Sequence, residues 1–154
     1  MTKTKAQQIM AATEVRAADD VTAAIQDIAA EFEPYIIKQR RHFHKHPELS
    51  LAEERTTSDI ANQLDAMNIP YERPLKTGLV ATLRGTAPDA YREDGTPRRR
   101  ILLRADIDAL PVTEQTGEEF ASVNEGCMHA CGHDCHIAMM LGTLQILRHM
   151  TDDI

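Results

Sequence analysis

Apolar residues recur at helical spacing in three stretches of the chain. The first stretch spans about residues 21–46 and ends before Pro47, because a residue that precedes proline avoids the α region. Pro34 lies inside it and either kinks one helix or begins a second one. The other two stretches predict helices over about residues 53–67 and 134–150. The pattern therefore predicts amphipathic helices near both ends of the chain.

Three shorter segments between the helices have strand patterns. Residues 71–73 form a short candidate strand, and residues 79–83 form another that ends before Gly85. Residues 100–105 contain consecutive apolar side chains, which is typical of a strand buried on both faces of a sheet: Ile101, Leu102 and Leu103. This order of helices and strands predicts an α/β fold with residues 100–105 at the centre of the sheet.

Length and composition are those of one globular domain. The 154 residues are 42% hydrophobic and 27% charged, which argues against disorder. Residues 1–16 are polar and predict a flexible N-terminus, so residues 17–154 form the folded unit. No apolar run is long enough for a membrane span, and the N-terminus lacks the apolar core of a secretory signal. A membrane protein is therefore not expected.

The net charge of −7 is unevenly distributed. Residues 1–100 contain 15 Lys and Arg against 15 Asp and Glu, whereas residues 101–154 contain 2 against 9. An acidic chain does not have the electrostatic surface of a nucleic-acid-binding protein. The acidic part also holds all three cysteines and four of the seven histidines. The charge thus points to residues 101–154 as the functional part.

The densest group of reactive side chains is residues 127–136, with three Cys, three His and one Asp. Thiolate, imidazole and carboxylate groups bind first-row transition metals. Cys131 and His133 flank Gly132, and a tight turn there would bring both side chains to one side. His129 and His136 remain open between packing, substrate contact and support of a ligand. Three clustered cysteines fit a metal or reactive site in a reducing compartment, which predicts the cytoplasm.

A pair of carboxylates, Asp106 and Asp108, follows the predicted central strand. Open α/β sheets bind ligands at this end of their strands. The pair either ligates a metal, orients a ligating imidazole, or caps the loop. Asp134 is placed to cap the last helix. The alternating histidines at 42, 44 and 46 predict a solvated helix end, on which only His42 and His46 share a face.

Taken together, these motifs resemble the zinc-dependent amidohydrolase family that includes aminoacylases, hippurate hydrolases and plant auxin-conjugate hydrolases. The resemblance covers about residues 36–150 and the N-terminal part of the family's catalytic domain. The segments that carry it, in the family's order, are Arg40-Arg41, His44-Lys45-His46-Pro47-Glu48-Leu49, Glu54 with Thr56, residues 77–81, residues 103–111 and residues 128–136.

The resemblance implies part of a three-layer α/β/α zinc-exopeptidase-like catalytic domain in residues 17–154. It implies a two-metal hydrolase of N-acyl amino acids that uses Zn²⁺, with Mn²⁺, Co²⁺ or Ni²⁺ as alternatives. Cys131 and His133 match metal ligands, and Asp108 matches the catalytic Asp behind the metal. Asp106, Asp134 and His136 would support the ligands or face the substrate.

Members of this family are longer, and their general base, remaining ligands and second domain lie beyond the segment that matches this chain. Full-length relatives are expected to be homo-oligomers. We therefore expect a truncated, inactive N-terminal fragment whose unpaired strand edge favours self-association. Two alternatives remain: a non-catalytic metal-binding module, or a thiol enzyme using Cys131 or Cys135.

Overall fold

The computed structural model describes residues 18–154, and the predicted flexible segment at residues 1–16 lies outside them. The described elements are helix α1 (Ala18–Lys45), helix α2 (Glu54–Met67), strands β1 (Tyr71–Glu72) and β2 (Val80–Ala81), and helix α3 (His133–Arg148). A short 3₁₀ helix, Thr151–Asp153, follows α3. The described fold is thus mixed α/β, with helices dominating.

Helix α1 is a single helix of 28 residues, and Pro34 lies inside it. Of the two possibilities for Pro34, the structure therefore has one helix that accommodates the proline. Residues 18–45 provide the long surface against which α3 packs. Gly142 of α3 allows close approach, since a Cβ there would lie 2.7 Å from Cδ1 of Ile36.

Helix α2 begins at Glu54 and ends at Asn68, which adopts the left-handed conformation with φ of 57°. Its N-terminus is capped from outside the helix by Glu48. One carboxylate oxygen of Glu48 accepts hydrogen bonds from the backbone N–H (2.7 Å) and hydroxyl (2.8 Å) of Thr56. The first-turn N–H groups of α2 are therefore satisfied by the segment that follows α1.

The core lies where the three helices meet the small sheet. Its buried members come from α1, α2, the turn after α2, and α3: Phe43, Ile60, Leu64, Met67, Ile69, Ile137 and Leu141. Strands β1 and β2 pair antiparallel, with Tyr71 opposite Ala81. None of the helices in residues 18–154 is both long and apolar enough to cross a membrane.

The predicted central strand over residues 100–105 is wrong for the structure described. This segment is not a strand, and its apolar side chains are exposed, with Leu102 at 90% and Ile101 at 85%. A strand needs a hydrogen-bonding neighbour, and none of residues 18–154 forms a ladder with this segment. The apolar run is therefore an exposed segment without regular secondary structure and not the centre of a sheet.

Candidate metal centre

The segment that carries Asp108 is held between two neighbouring segments. The N–H of Ala109 donates to the carbonyl of Glu48 (2.8 Å). Leu110 and Met128 exchange two backbone hydrogen bonds of 2.9 and 3.0 Å. The loop with the paired carboxylates is thereby fixed next to the segment that leads into the cysteine–histidine cluster.

Gly132 forms the turn that begins α3. It is the N-cap residue of the helix, with φ of 95°, a conformation that side chains other than glycine rarely adopt. Cys131 precedes this turn and His133 is the first residue of the helix. The backbone conformation at Gly132 therefore sets the relative position of the two side chains, as the sequence predicts.

The imidazole of His133 is oriented by Asp108. Its Nδ1 lies 2.9 Å from the Asp108 carboxylate oxygen Oδ1 and 2.9 Å from the Asp108 carbonyl oxygen. Both partners are acceptors, so Nδ1 carries the proton and donates. The lone pair of the neutral ring is then on Nε2. A carboxylate behind an imidazole is the arrangement that fixes the tautomer of metal-ligating histidines.

Sγ of Cys131 lies 3.7 Å from this free Nε2. Two ligands of one tetrahedral zinc, at about 2.3 Å for sulfur and about 2.1 Å for nitrogen, are separated by about 3.6 Å. The thiol and the imidazole therefore have the chemistry and the spacing of two ligands to one ion. His133 is 18% exposed, so the pair is accessible from solvent.

Asp106 and His136 also lie close to His133. One ligand atom from each of these three residues falls within 4.8 Å of the other two. Within residues 18–154, these three residues form the one group of at least three side chains that could together hold a metal ion. Cys131 is not a member of this group. Hydrogen bonds from the Arg104 guanidinium, at 2.9 and 2.7 Å, lower the pKa of Asp106. Asp106 thus stays ionised beside the two imidazoles.

Asp134 is not the N-cap that the sequence predicts, because α3 begins at His133 and its N-cap is Gly132. Its side chain is instead buried, at 1% exposure, and is an ion-pair partner. Oδ2 accepts from Nδ1 of His44 (2.8 Å) and from Nε of Arg40 (2.9 Å). Asp134 therefore joins α3 to α1 and is absent from the donor group around His133.

The prediction of solvated histidines is wrong for His44. Its side chain is 5% exposed, and its Nε2 lies 3.1 Å from Oε1 of Glu114. Arg40 and His44 are four residues apart and therefore share a helix face. This spacing is the one feature of the sequence that suggests a shared partner, which the structure shows to be Asp134. No signal in the sequence marks Glu114. His42 and His46 do share a face, with ring centroids 5.2 Å apart.

Glu114 is held as a carboxylate by its neighbours. Burial opposes its ionisation, but hydrogen bonds from the Ser122 backbone N–H, the Thr116 hydroxyl and His44 outweigh this effect. Together they lower the pKa of Glu114 from 4.5 to about 2. The loop of residues 111–122 is thus tied to α1 through an ionised, buried side chain.

His129 is buried at 5% exposure, and neither ring nitrogen has a hydrogen-bond partner among the described atoms. Burial lowers its pKa, which favours the neutral imidazole. Cys127 is buried, and burial raises the pKa of its thiol. Of the three cysteines, only Cys131 is exposed.

A thiol and an imidazole at ligand spacing, with a carboxylate behind the imidazole, form a candidate transition-metal centre. The model of the peptidase family M20/M25/M40 matches residues 102–154, which contain this centre. An N-acyl-L-amino acid amidohydrolase of Geobacillus stearothermophilus is 43% identical over 131 residues, which cover 84% of this chain and 33% of that protein. A hydrolase of Staphylococcus epidermidis, described as uncharacterized, is 44% identical over 107 residues, or 70% of this chain and 25% of that one.

A solved structure gives the same relationship. The YxeP protein of Bacillus subtilis, described as a dinuclear metal-binding peptidase of the M20 family, matches with a TM-score of 0.68 and 41% identity. The match covers 79% of this chain and 32% of that one. The chain is similar to members of the M20 peptidase family over most of its length, which confirms the family resemblance and the α/β fold class. It spans a quarter to a third of the length of the relatives reported above.

Proposed function

We propose that this chain is part of a metal-dependent amidohydrolase that cleaves the amide bond of N-acyl amino acids. The observation that carries the proposal is the 3.7 Å separation of Cys131 Sγ from Nε2 of His133, the ring nitrogen that does not face Asp108. The name of the Geobacillus relative supports the substrate class. Residues 17–154 would form the N-terminal part of the catalytic domain.

In this proposal Cys131 and His133 hold the metal and Asp108 keeps the His133 imidazole in the ligating tautomer. A bound divalent ion would polarise the amide carbonyl. It would also lower the pKa of a water molecule, which would make a nucleophilic hydroxide available at neutral pH. Asp106, which Arg104 holds ionised, and His136 lie close to His133. In this proposal they support the ligands or contact a polar group of the substrate. Asp134 supports the ligands from behind.

Zn²⁺ is the proposed metal because thiolate and imidazole ligands favour it, with Mn²⁺, Co²⁺ or Ni²⁺ as the other candidates. The dinuclear relative supports a two-metal site in the full-length protein. A catalytic zinc usually has three protein ligands, and no third Cys, His, Asp or Glu donor in residues 18–154 groups with Cys131 and His133. We therefore expect the 154-residue polypeptide to bind metal without hydrolysing amides by itself.

Metal binding by the chain tests the ligand assignment. Competition of the metal-free protein with a chromophoric chelator gives the Zn²⁺ affinity, and Co²⁺ substitution shows sulfur ligation by a thiolate-to-metal charge-transfer band. We expect Cys131→Ser to remove the band and Cys135→Ser, four residues along, to retain it. Zinc binding that survives Cys131→Ser combined with His133→Ala would refute the assignment.

The reaction is tested separately on the full-length protein, with release of the amino acid from N-acetyl amino acids as the readout. We expect hydrolysis to be lost with a chelator and restored by Zn²⁺. Loss of activity with iodoacetamide but not with chelators would instead favour the thiol enzyme. Stoichiometric zinc binding without hydrolysis by any length of the protein would favour the non-catalytic metal-binding module. A cytoplasmic location stays a prediction from the clustered cysteines.

A further inference from the structure

Four ionisable side chains form one continuous chain behind the cysteine–histidine turn. Arg40 Nε lies 2.9 Å from Asp134, Asp134 lies 2.8 Å from His44 Nδ1, and His44 Nε2 lies 3.1 Å from Glu114. Asp134, His44 and Glu114 are each at most 5% exposed. Both ring nitrogens of His44 face carboxylate oxygens, so the ring links the carboxylates of Asp134 and Glu114.

Stability alone is a weak explanation for such a chain, because removing charges from water costs several kcal/mol per ion and well-packed apolar side chains often stabilise a core as well or better. The place of the chain in the fold suggests another role. Asp134 directly follows His133, and its carboxylate also accepts a hydrogen bond from the N–H of Cys135 (2.9 Å). Asp134, the second residue of α3, thus attaches the first turn of this helix to Arg40 and His44 of α1.

The same turn is also held by Asp108, whose Oδ1 lies 2.9 Å from Nδ1 of His133. Glu114 is anchored in turn by the N–H of Ser122, at 2.6 Å. The turn is therefore attached twice, through Asp134 to Arg40 and His44 of α1, and through His133 to Asp108. Neither attachment alone fixes both the backbone of the turn and the ring of His133.

We infer that the chain of Arg40, Asp134, His44 and Glu114 positions the Cys131–His133 turn for metal binding, with Glu114 as its remote member. This inference rests on the metal ligands of the proposed function. Glu114 contacts neither Cys131 nor His133, so its effect on the metal passes through His44 and Asp134.

The zinc affinity of the Glu114→Gln variant tests this role. Residues that orient metal ligands change metal affinity by about 10- to 100-fold, and we expect about 10-fold weaker binding because Glu114 acts through two other groups. Glu118→Gln, an exposed carboxylate of the same loop, is the matched control with wild-type affinity. Glu114→Asp, which retains the charge, should recover part of the loss.

A second readout needs no metal. The N–H groups of Cys135 and His136 donate to the carbonyl of Gly132, at 3.0 and 3.3 Å, and their hydrogen exchange reports whether the turn is held. In the metal-free protein we expect exchange about 10-fold faster in Glu114→Gln, with the amide of Leu141 in the middle of α3 unchanged.

These measurements separate two kinds of failure. Absence of zinc binding in the wild-type protein would overturn the proposed function, while the exchange rates still decide whether the chain holds the turn. Wild-type zinc affinity together with wild-type exchange in folded Glu114→Gln would overturn the positioning role. A lower melting temperature with both readouts unchanged would mean that the chain only stabilises the fold, which also overturns it.

Discussion

Replacing Glu114 with Gln should destabilise the protein at pH 7 and have progressively less effect as the pH falls. The native pKa of Glu114 is about 2, against 4.5 for an ordinary glutamate. At about 1.4 kcal/mol per pKa unit, this difference corresponds to about 3 kcal/mol of stability. The loop around Glu114 is open to solvent at Thr116 and Glu118, so we expect about 2 kcal/mol after screening.

The sign follows from proton binding. Because the native pKa lies below the unfolded one, the unfolded chain binds more protons between pH 4.5 and about 2. The contribution of Glu114 is therefore complete above pH 4.5 and is lost as the pH falls towards 2. By pH 3.5 about 1 kcal/mol of the difference between wild type and variant should be gone.

Urea unfolding of wild type and Glu114→Gln at several pH values between 7 and 3.5 measures this difference directly. Glu118→Gln again serves as the control, with stability within about 0.5 kcal/mol of wild type at each pH. A difference between wild type and Glu114→Gln that stayed constant down to pH 3.5 would refute the argument, because it would show that the carboxylate charge is not what is lost.

Three further substitutions test other parts of the structure by urea unfolding. Gly132→Ala places a side chain at φ of 95° and should cost about 1–3 kcal/mol while weakening zinc binding; unchanged zinc affinity would contradict the role of the turn. Phe43→Ala removes a core side chain that is 2% exposed and should cost about 3–5 kcal/mol; a cost below about 1 kcal/mol would mean that the core is not packed there. Glu48→Gln weakens the external cap of α2 and should cost about 1 kcal/mol, with no loss expected in the Glu118→Gln control.

The helices were predictable from sequence because their apolar spacing reflects the faces that they bury. The end of α2 at Asn68 follows from a residue that tolerates the left-handed conformation. The segment at residues 100–105 shows the limit of this reasoning. Its apolar run indicates a buried strand, but strand formation depends on neighbours, and residues 18–154 contain none that pairs with it.

The part of the candidate site that could be predicted is the part whose ligands lie close together in sequence. Cys131 and His133 flank a glycine, so their proximity is local. The contact between Asp108 and His133 spans 25 residues. It was suggested by the placement of ligand sites at strand ends and by the resemblance, which places Asp108 behind the metal. His44 and Glu114 are 70 residues apart, and nothing in the local pattern of either predicts that they meet.

The hydrogen bond between His44 and Asp134 joins residues 90 positions apart. The cysteine–histidine motif is short, yet the support behind it is supplied by the C-terminal end of α1. A synthetic peptide containing only residues 125–150 would have both ligands but not this support. Tight metal binding would therefore require that α1 and α3 have packed together. A metal-sensitive dye that measures free metal could then follow the packing of the two helices during refolding.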